Sequence, residues 1–201
     1  MDRRQQILEA GRRVFAKEGF HGATIKKIAI EAGLKSPSLV YWYFENKKRL
    51  FQAMWEEMSP VLSQLPNLWE RIDDSPEEVL LLIARAYLST FNNTEARQFF
   101  RIFLSEAPRV PETANNLAEK MVLVLNFIIS YLEHQIDAGK LRPHDTQSSA
   151  RSFIGSFVIY MIGREIFLPL RAGLPDPELY AQEIVNIFLK GLSPEKEPSK
   201  Q

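Results

Sequence analysis

Tyr41, Trp42, Tyr43 and Phe44 follow one another without a break, with Ser36-Pro37-Ser38 before them and Lys47-Lys48-Arg49 after. Phenol, indole and hydroxyl groups bond phosphate oxygens and pack on thymine methyl groups, while ammonium groups neutralise phosphates. Successive residues of a helix point about 100° apart, so four aromatics in a row cannot all enter one core. Some of them must face solvent or a partner. Val40 and Phe44, four apart, suit a core, with Leu39 or Tyr43 at its edge. Pro37, Ser38, Tyr41 and Trp42 then fall on the outer side. Lys47 and Lys48 open the next helix, where side-chain charge and unpaired backbone N–H groups together favour an anion.

No comparable grouping supports bond-making chemistry. The chain has no cysteine, so neither a disulfide framework nor a thiolate metal site is available. His21, His134 and His144 are scattered, with no spacing that suits a metal. A glycine-rich phosphate loop, a G-x-S-x-G elbow and a zinc-protease motif are all missing from the sequence. The expectation is a protein that is not an enzyme and holds neither cofactor nor metal.

Charge supports the opening reading. Residues 1–52 hold 11 Lys/Arg against 5 Asp/Glu, a net of +6. The rest holds 14 Lys/Arg against 20 Asp/Glu, a net of −6, so the 201-residue chain is neutral as a whole. A basic end on an acidic remainder is the asymmetry expected when one end meets a polyanion. The N-terminus lacks an apolar signal core, and the longest apolar run, "MVLVLNFIISYL", is too short to span a bilayer. The sequence therefore reads as soluble, cytoplasmic and not membrane-bound.

The elements that position these residues are all helical. Ile7, Ala10, Gly11, Val14 and Phe15 form one face of a first helix that Gly19 can end in the left-handed conformation. Thr24 is a good cap for a second helix, which turns Ile25, Ile28, Ala29 and Ala32 inward and stops at Gly33. Ser36-Pro37 starts a third, predicted from Pro37 to about Phe44. Asn46 caps a fourth, with Leu50, Phe51, Met54, Trp55 and Met58 as its apolar stripe, and Pro60 ends or kinks it. Further helical segments bring the total to about nine, with Ser75-Pro76 repeating the cap-and-proline signal. The fold class is all-α: a helix-turn-helix domain over 1–52, a larger helical domain over 53–192, and a disordered tail over 193–201.

The run "GFHGATIKKIAIEAGLKSPSLVYWYFENKKRLF" resembles the DNA-binding domain of TetR/AcrR-family transcriptional regulators. Gly19 and Gly22 before Thr24, Ile28-Ala29, Ala32-Gly33, the aromatic row ending in Phe44, Asn46-Lys47 and Leu50 carry the resemblance, which covers roughly residues 3 to 55. Lys35 is one residue more than the family pattern has between turn glycine and aromatic row, when Ser36 is matched to the turn serine. The resemblance implies a helix 3 that enters the major groove. It places Tyr41 at a phosphate-contacting tyrosine, Lys47 at a phosphate-binding lysine, and Lys26 at a base- or phosphate-contacting position. The expected DNA-binding set is Lys26, Lys35, Ser36, Pro37, Ser38, Tyr41, Trp42 and Lys47.

Regulators of this family dimerise and bind a small molecule through the remaining helices, which implies a homodimer, a double-stranded operator and an effector as partners. "MVLVLNFIISYL" is apolar all round and predicts a helix buried on every side, with Asn126 and Ser130 as an interior polar stripe. With Tyr87, Phe91, Phe103, Met121, Phe157 and Tyr160, these are the expected effector-binding residues. The small-residue stripe Ser152, Gly155, Ile159 and Gly163, joined by Ile184, Ile187 and Phe188, is the expected dimer seam. Filling the cavity would tilt helix 4 and change the spacing of the recognition helices. The alternative reading is an all-α binding or interaction protein whose helix-turn-helix does not act on DNA.

Overall fold

The computed structural model describes residues 2–58, 60–89, 97, 98, 100–102, 104 and 111–194. The regular elements are helices: α1 (Arg3–Gly22), α2 (Ile25–Glu31), α3 (Ser38–Tyr41), α4 (Lys47–Met58), α5 (Pro60–Trp69), α6 (Pro76–Ser89), α7 (Pro111–Asp137), α8 (Thr146–Glu165), α9 (Leu168–Arg171) and α10 (Pro177–Leu192). No strand occurs among the described residues. The chain divides into two compact units, residues 1–59 with 90–120 and residues 60–89 with 121–201.

In the first unit, α1 buries Ile7, Leu8, Ala10, Val14 and Phe15. Gly19 breaks it at φ 69°, ψ 178°, a conformation that favours a residue without Cβ. Thr24 Oγ1 then accepts from Lys27 N–H at 3.2 Å and starts α2. Two bonds close α2, Gly33 N–H to the Ile30 carbonyl at 2.9 Å and Leu34 N–H to the Ala29 carbonyl at 2.8 Å. This paired closure needs the left-handed Gly33, at φ +64°. Asn46 Oδ1 accepts from Arg49 N–H at 2.9 Å to start α4, which buries Leu50, Phe51 and Met54. Phe15, Phe20 and Phe51 pack as one cluster, with Phe51 edge-on 5.1 Å from each of the other two rings. Burying each such side chain stabilises the unit by ~1.5–3 kcal/mol.

Polar ties fix α1 to α4. Arg4 and Arg12 both donate to the Glu57 carboxylate, at 2.7 and 2.9 Å. The neighbouring Glu56 stands 3.7 Å from Lys120 of α7. Gly11 permits close approach, since a Cβ there would lie 2.9 Å from Met54 Sδ. The third helix is shorter than expected. It spans Ser38–Tyr41, with Pro37 as the preceding cap residue at φ −58°, ψ −27°.

In the second unit, Ser75 and Glu78 form a reciprocal cap on α6: Ser75 Oγ accepts from Glu78 N–H at 3.4 Å and donates to the Glu78 carboxylate at 3.0 Å. α6, α8 and α10 bury Leu80, Ile83, Phe153, Phe157, Ala181 and Val185. Tyr131 donates to the Asp74 carbonyl at 2.8 Å and Gln135 to the Ile72 carbonyl at 2.7 Å, holding the turn before α6 against α7. α7 is not buried on all sides, contrary to expectation. Val124, Phe127, Ile128 and Tyr131 face inward, whereas Val122, Leu123 and Asn126 are exposed. Apolar residues around a whole circumference do not fix which side is covered. Two helices were not anticipated: α5, which carries Pro66 inside it, and the single turn α9. Among the described residues no helix is long and apolar enough to cross a membrane.

Candidate nucleic-acid interface

Val40 is fully buried and Phe44 nearly so, and they anchor α3 from behind. Tyr41 is 53% exposed, Trp42 82% and Tyr43 44%, so the aromatic row divides as its helical spacing requires. Lys26, Lys35, Pro37 and Ser38 are exposed on α2, the turn and the start of α3. Ser36 is half-buried, and its Oγ lies 2.6 Å from Ser38 Oγ and accepts from Ser38 N–H at 3.3 Å. The α2–turn–α3 segment thus carries hydroxyl, phenol, indole and ammonium groups, the set that bonds phosphates and base edges.

Lys47, expected at a phosphate, is bonded within its own unit. Its ammonium turns inward, donating to the carbonyls of Phe20 at 2.7 Å and Ala23 at 2.9 Å and sitting 4.5 Å from the centre of the Phe20 ring. Phe20 lies in the last turn of α1 and Ala23 is its C-cap residue, and the last carbonyls of a helix have no partner within it. Lys27 is likewise engaged, with Glu18 and with the Gly22 carbonyl.

Three further features were not read from the sequence. Ile30 is 67% exposed on α2, one helical step beyond Lys26. The "IKKIAI" run holds it among other apolar residues, and nothing local separates it from them. Arg4 and Arg12 meet Glu57 across 53 and 45 residues, which no spacing rule reveals. Arg4 also lies 5.5 Å from the centre of the Phe44 ring, behind the aromatic row.

In the second unit, Ser152, Gly155, Ile159 and Ile187 are exposed, and a Cβ on Gly155 would meet nothing within 4 Å. Ile184 and Phe188 are half-buried, and the Phe188 ring centre lies 5.2 Å from that of Phe153. Gly163 does not belong with them. It is buried, and a Cβ there would come 3.3 Å from Leu170 Cβ, so its small size serves α9 of the same chain. An apolar groove of about 270 Å³ runs along Leu125, Ile154, Gly155, Val158 and Ile159.

Of the expected effector-binding residues, Tyr87 and Phe157 stack with ring centres 6.1 Å apart. Burial pushes the Tyr87 phenol above its ordinary range. Tyr160 donates to the Pro175 carbonyl at 2.8 Å and packs 4.4 Å from Tyr180. Met121 and Ser130 are half-buried. Asn126 is exposed, so it does not form the interior polar stripe expected of it. Phe91 and Phe103 lie outside the described residues. No metal-binding group of His, Asp and Glu occurs among the described residues.

Residues 7–54 match the family described as bacterial regulatory proteins, tetR family. Residues 78–191, more than half of the chain, match the C-terminal domain of AefR-like transcriptional repressors. The HTH-type transcriptional repressor AcnR of Corynebacterium diphtheriae is 42% identical over 55 residues, 27% of this chain and only 28% of that protein. The HTH-type transcriptional regulator YdgC of Bacillus subtilis is 26% identical over 203 residues, 96% of this chain and 94% of that one. The fold is similar to that of the Bacillus subtilis regulator FadR, solved in complex with stearoyl-CoA, with a TM-score of 0.70, 18% identity and coverage of 93% of this chain and 98% of that one. Matched at both ends, by its helix-turn-helix and by the helices that follow it, the chain belongs to the TetR family of bacterial transcriptional regulators.

Proposed function

We propose that the protein is a homodimeric repressor that binds a pseudo-palindromic operator and releases it when a small, largely apolar effector binds the second unit. The outward face of α3 carries this reading: Tyr41 and Trp42 are 53% and 82% exposed although both are large and aromatic. Such groups left in solvent, within a segment of net charge +6, suit a nucleic-acid surface. Lys26, Lys35, Pro37, Ser38, Tyr41 and Trp42 make the contacts, with Ser38 and Trp42 setting sequence preference.

A single recognition helix of one turn buries too little surface for specific binding, and two-fold symmetry doubles it. The exposed Ser152, Gly155, Ile159 and Ile187 support a seam between copies, with Ile184 and Phe188 at its base. The effector class is supported by the aromatic residues Tyr87, Phe157 and Tyr160 and by the acyl ligand of the FadR structure. Effector binding tilts α4 and changes the separation of the two recognition helices, which must match about one DNA turn, roughly 34–36 Å. The effector has to favour the released state, because equal affinity for both states shifts nothing.

Incubating folded protein in excess with genomic fragments at low salt tests the reading. The expected result is a retarded complex that dissociates steeply as salt rises. Absence of any complex would overturn it.

A further inference from the structure

We infer that the Tyr87 hydroxyl is the polar anchor of the effector site, donating to a neutral acceptor oxygen, such as that of a ketone, ester or ether, on an otherwise apolar effector. The inference rests on the effector reading above and names the ligand chemistry of that same site.

The second unit holds four tyrosines, and three of them have paired hydroxyls. Tyr131 donates to the Asp74 carbonyl, Tyr160 to the Pro175 carbonyl and Tyr180 to the Ser156 carbonyl, each at 2.8 Å. Tyr87 is the exception. It is only 7% exposed, and among the described residues its hydroxyl has no hydrogen-bond partner. Buried polar groups are nearly always paired, and a phenylalanine would fill the same place without leaving a hydroxyl unsatisfied. The group that completes this phenol is therefore sought outside the chain.

The surroundings suit an apolar ligand. Tyr87 ends a connected row of four rings: it stacks on Phe157 with centres 6.1 Å apart, Phe157 meets Tyr180 edge-on at 6.1 Å, and Tyr180 lies 4.4 Å from Tyr160. Ligand sites are mostly apolar and fix orientation through a few polar groups. Burial pushes the Tyr87 phenol above its ordinary range, so it keeps its proton at neutral pH and stays a donor. No charged group among the described residues contributes to that shift. An anionic acceptor would enter a desolvated place without a counter-charge, which disfavours carboxylates against neutral oxygens.

The test compares the full chain with Tyr87→Phe, which removes the hydroxyl alone. The probes are acetophenone and 2-acetylnaphthalene, each paired with the isopropyl hydrocarbon that replaces its carbonyl at nearly the same shape, and 2-naphthoate as the anion. Calorimetric titration measures affinity, and thermal unfolding measures stability. Wild type is expected to bind the ketones about fivefold or more tightly than the hydrocarbons, and 2-naphthoate more weakly than 2-acetylnaphthalene. Tyr87→Phe is expected to lose the preference for ketones while its hydrocarbon affinity stays within about twofold. Its melting temperature is expected to equal or exceed that of wild type, because no bond within the protein is lost.

Equal affinity of wild type for ketone and hydrocarbon overturns the inference, as does a ketone preference that survives in Tyr87→Phe. Tightest binding of 2-naphthoate overturns the neutral class of ligand. A Tyr87→Phe chain that melts below wild type or fails to fold shows a hydroxyl bonded inside the protein, which also overturns it. Failure of every probe to bind wild type, hydrocarbons included, would instead remove the apolar-effector reading, and the inference with it.

Discussion

Arg85 on α6 and Glu178 on α10 meet in a two-pronged ion pair, with Arg85 Nε 3.0 and 2.9 Å from the two carboxylate oxygens. The pair pins the first turn of α10, where Asp176 accepts from Glu178 N–H at 2.9 Å and Tyr180 donates to the Ser156 carbonyl at 2.8 Å. α10 is thereby held beside α8, with Ile187 and Ile159 both exposed.

The hydrogen bond from Arg85, and then that from Gln182, holds the Glu178 carboxyl below the ordinary glutamate range. A depressed folded value stabilises the fold above the unfolded value and is lost as pH falls through the folded one. Arg85→Met is therefore less stable than wild type at neutral pH, and the gap closes under acid conditions. Urea unfolding at neutral pH and again well below the glutamate range measures it. Both side chains are about half exposed, so the gap is small and shrinks with added salt.

Thr24→Ala removes the acceptor for Lys27 N–H and costs about 1 kcal/mol of stability in the first unit. Asn46→Ala removes the acceptor for Arg49 N–H and costs a similar ~1 kcal/mol. Denaturant titration of each variant checks both. Thr24→Ser, which keeps the acceptor, is expected to retain most of the wild-type value.

Gly155 and Gly163 respond oppositely to enlargement. Leu at 155 meets open space in a single chain, so Gly155→Leu keeps the monomer fold but weakens the proposed seam. Gly163→Leu drives a side chain into Leu170 and destabilises the chain by ~1–3 kcal/mol. Sedimentation at micromolar concentration reads the first and thermal unfolding the second. A wild-type monomer at that concentration would sink the dimer reading.

Trp42→Ala leaves stability within about 0.5 kcal/mol, because the ring is 82% exposed. It is expected to change which duplexes the protein selects from a random pool. Phe51→Ala, in the core of the same unit, costs ~3–5 kcal/mol because its ring is buried against Phe15 and Phe20. Selection sequencing and denaturant titration separate the two effects.

The proposed effector coupling is reciprocal. A small apolar compound that binds the protein and lowers its affinity for the selected duplex must itself bind more weakly, by the same factor, when that duplex is present. Paired titrations with and without duplex measure both factors. A compound that binds tightly yet leaves duplex affinity unchanged is not the effector.

Features set by neighbouring residues were legible in the sequence. Thr24, Asn46 and Ser75 cap because a short polar side chain reaches the N–H three residues on, and Gly33 ends α2 because the left-handed closure favours glycine. The split of the aromatic row followed from helical period alone. The tie of Lys47 to the α1–α2 turn was not legible because its acceptors lie 27 and 24 residues earlier in the chain. Asn126 and Gly163 were misjudged for a related reason. Periodicity says which residues share a face, and only the packed chain says what covers that face. α5 stayed hidden because Pro66 reads as a breaker wherever it stands.

The closure at Gly33 has a consequence for how such a reader can diverge. Its two bonds, from Gly33 to Ile30 and from Leu34 to Ala29, are complete before Lys35 begins. Residues 35–37 then form a bridge that no bond of that closure uses, so lengthening it by one residue leaves α2 where it was. The turn works as an expansion joint. Duplications or deletions falling there alter the angle at which Ser38 and Trp42 are presented, and the rest of the unit keeps its folding pattern.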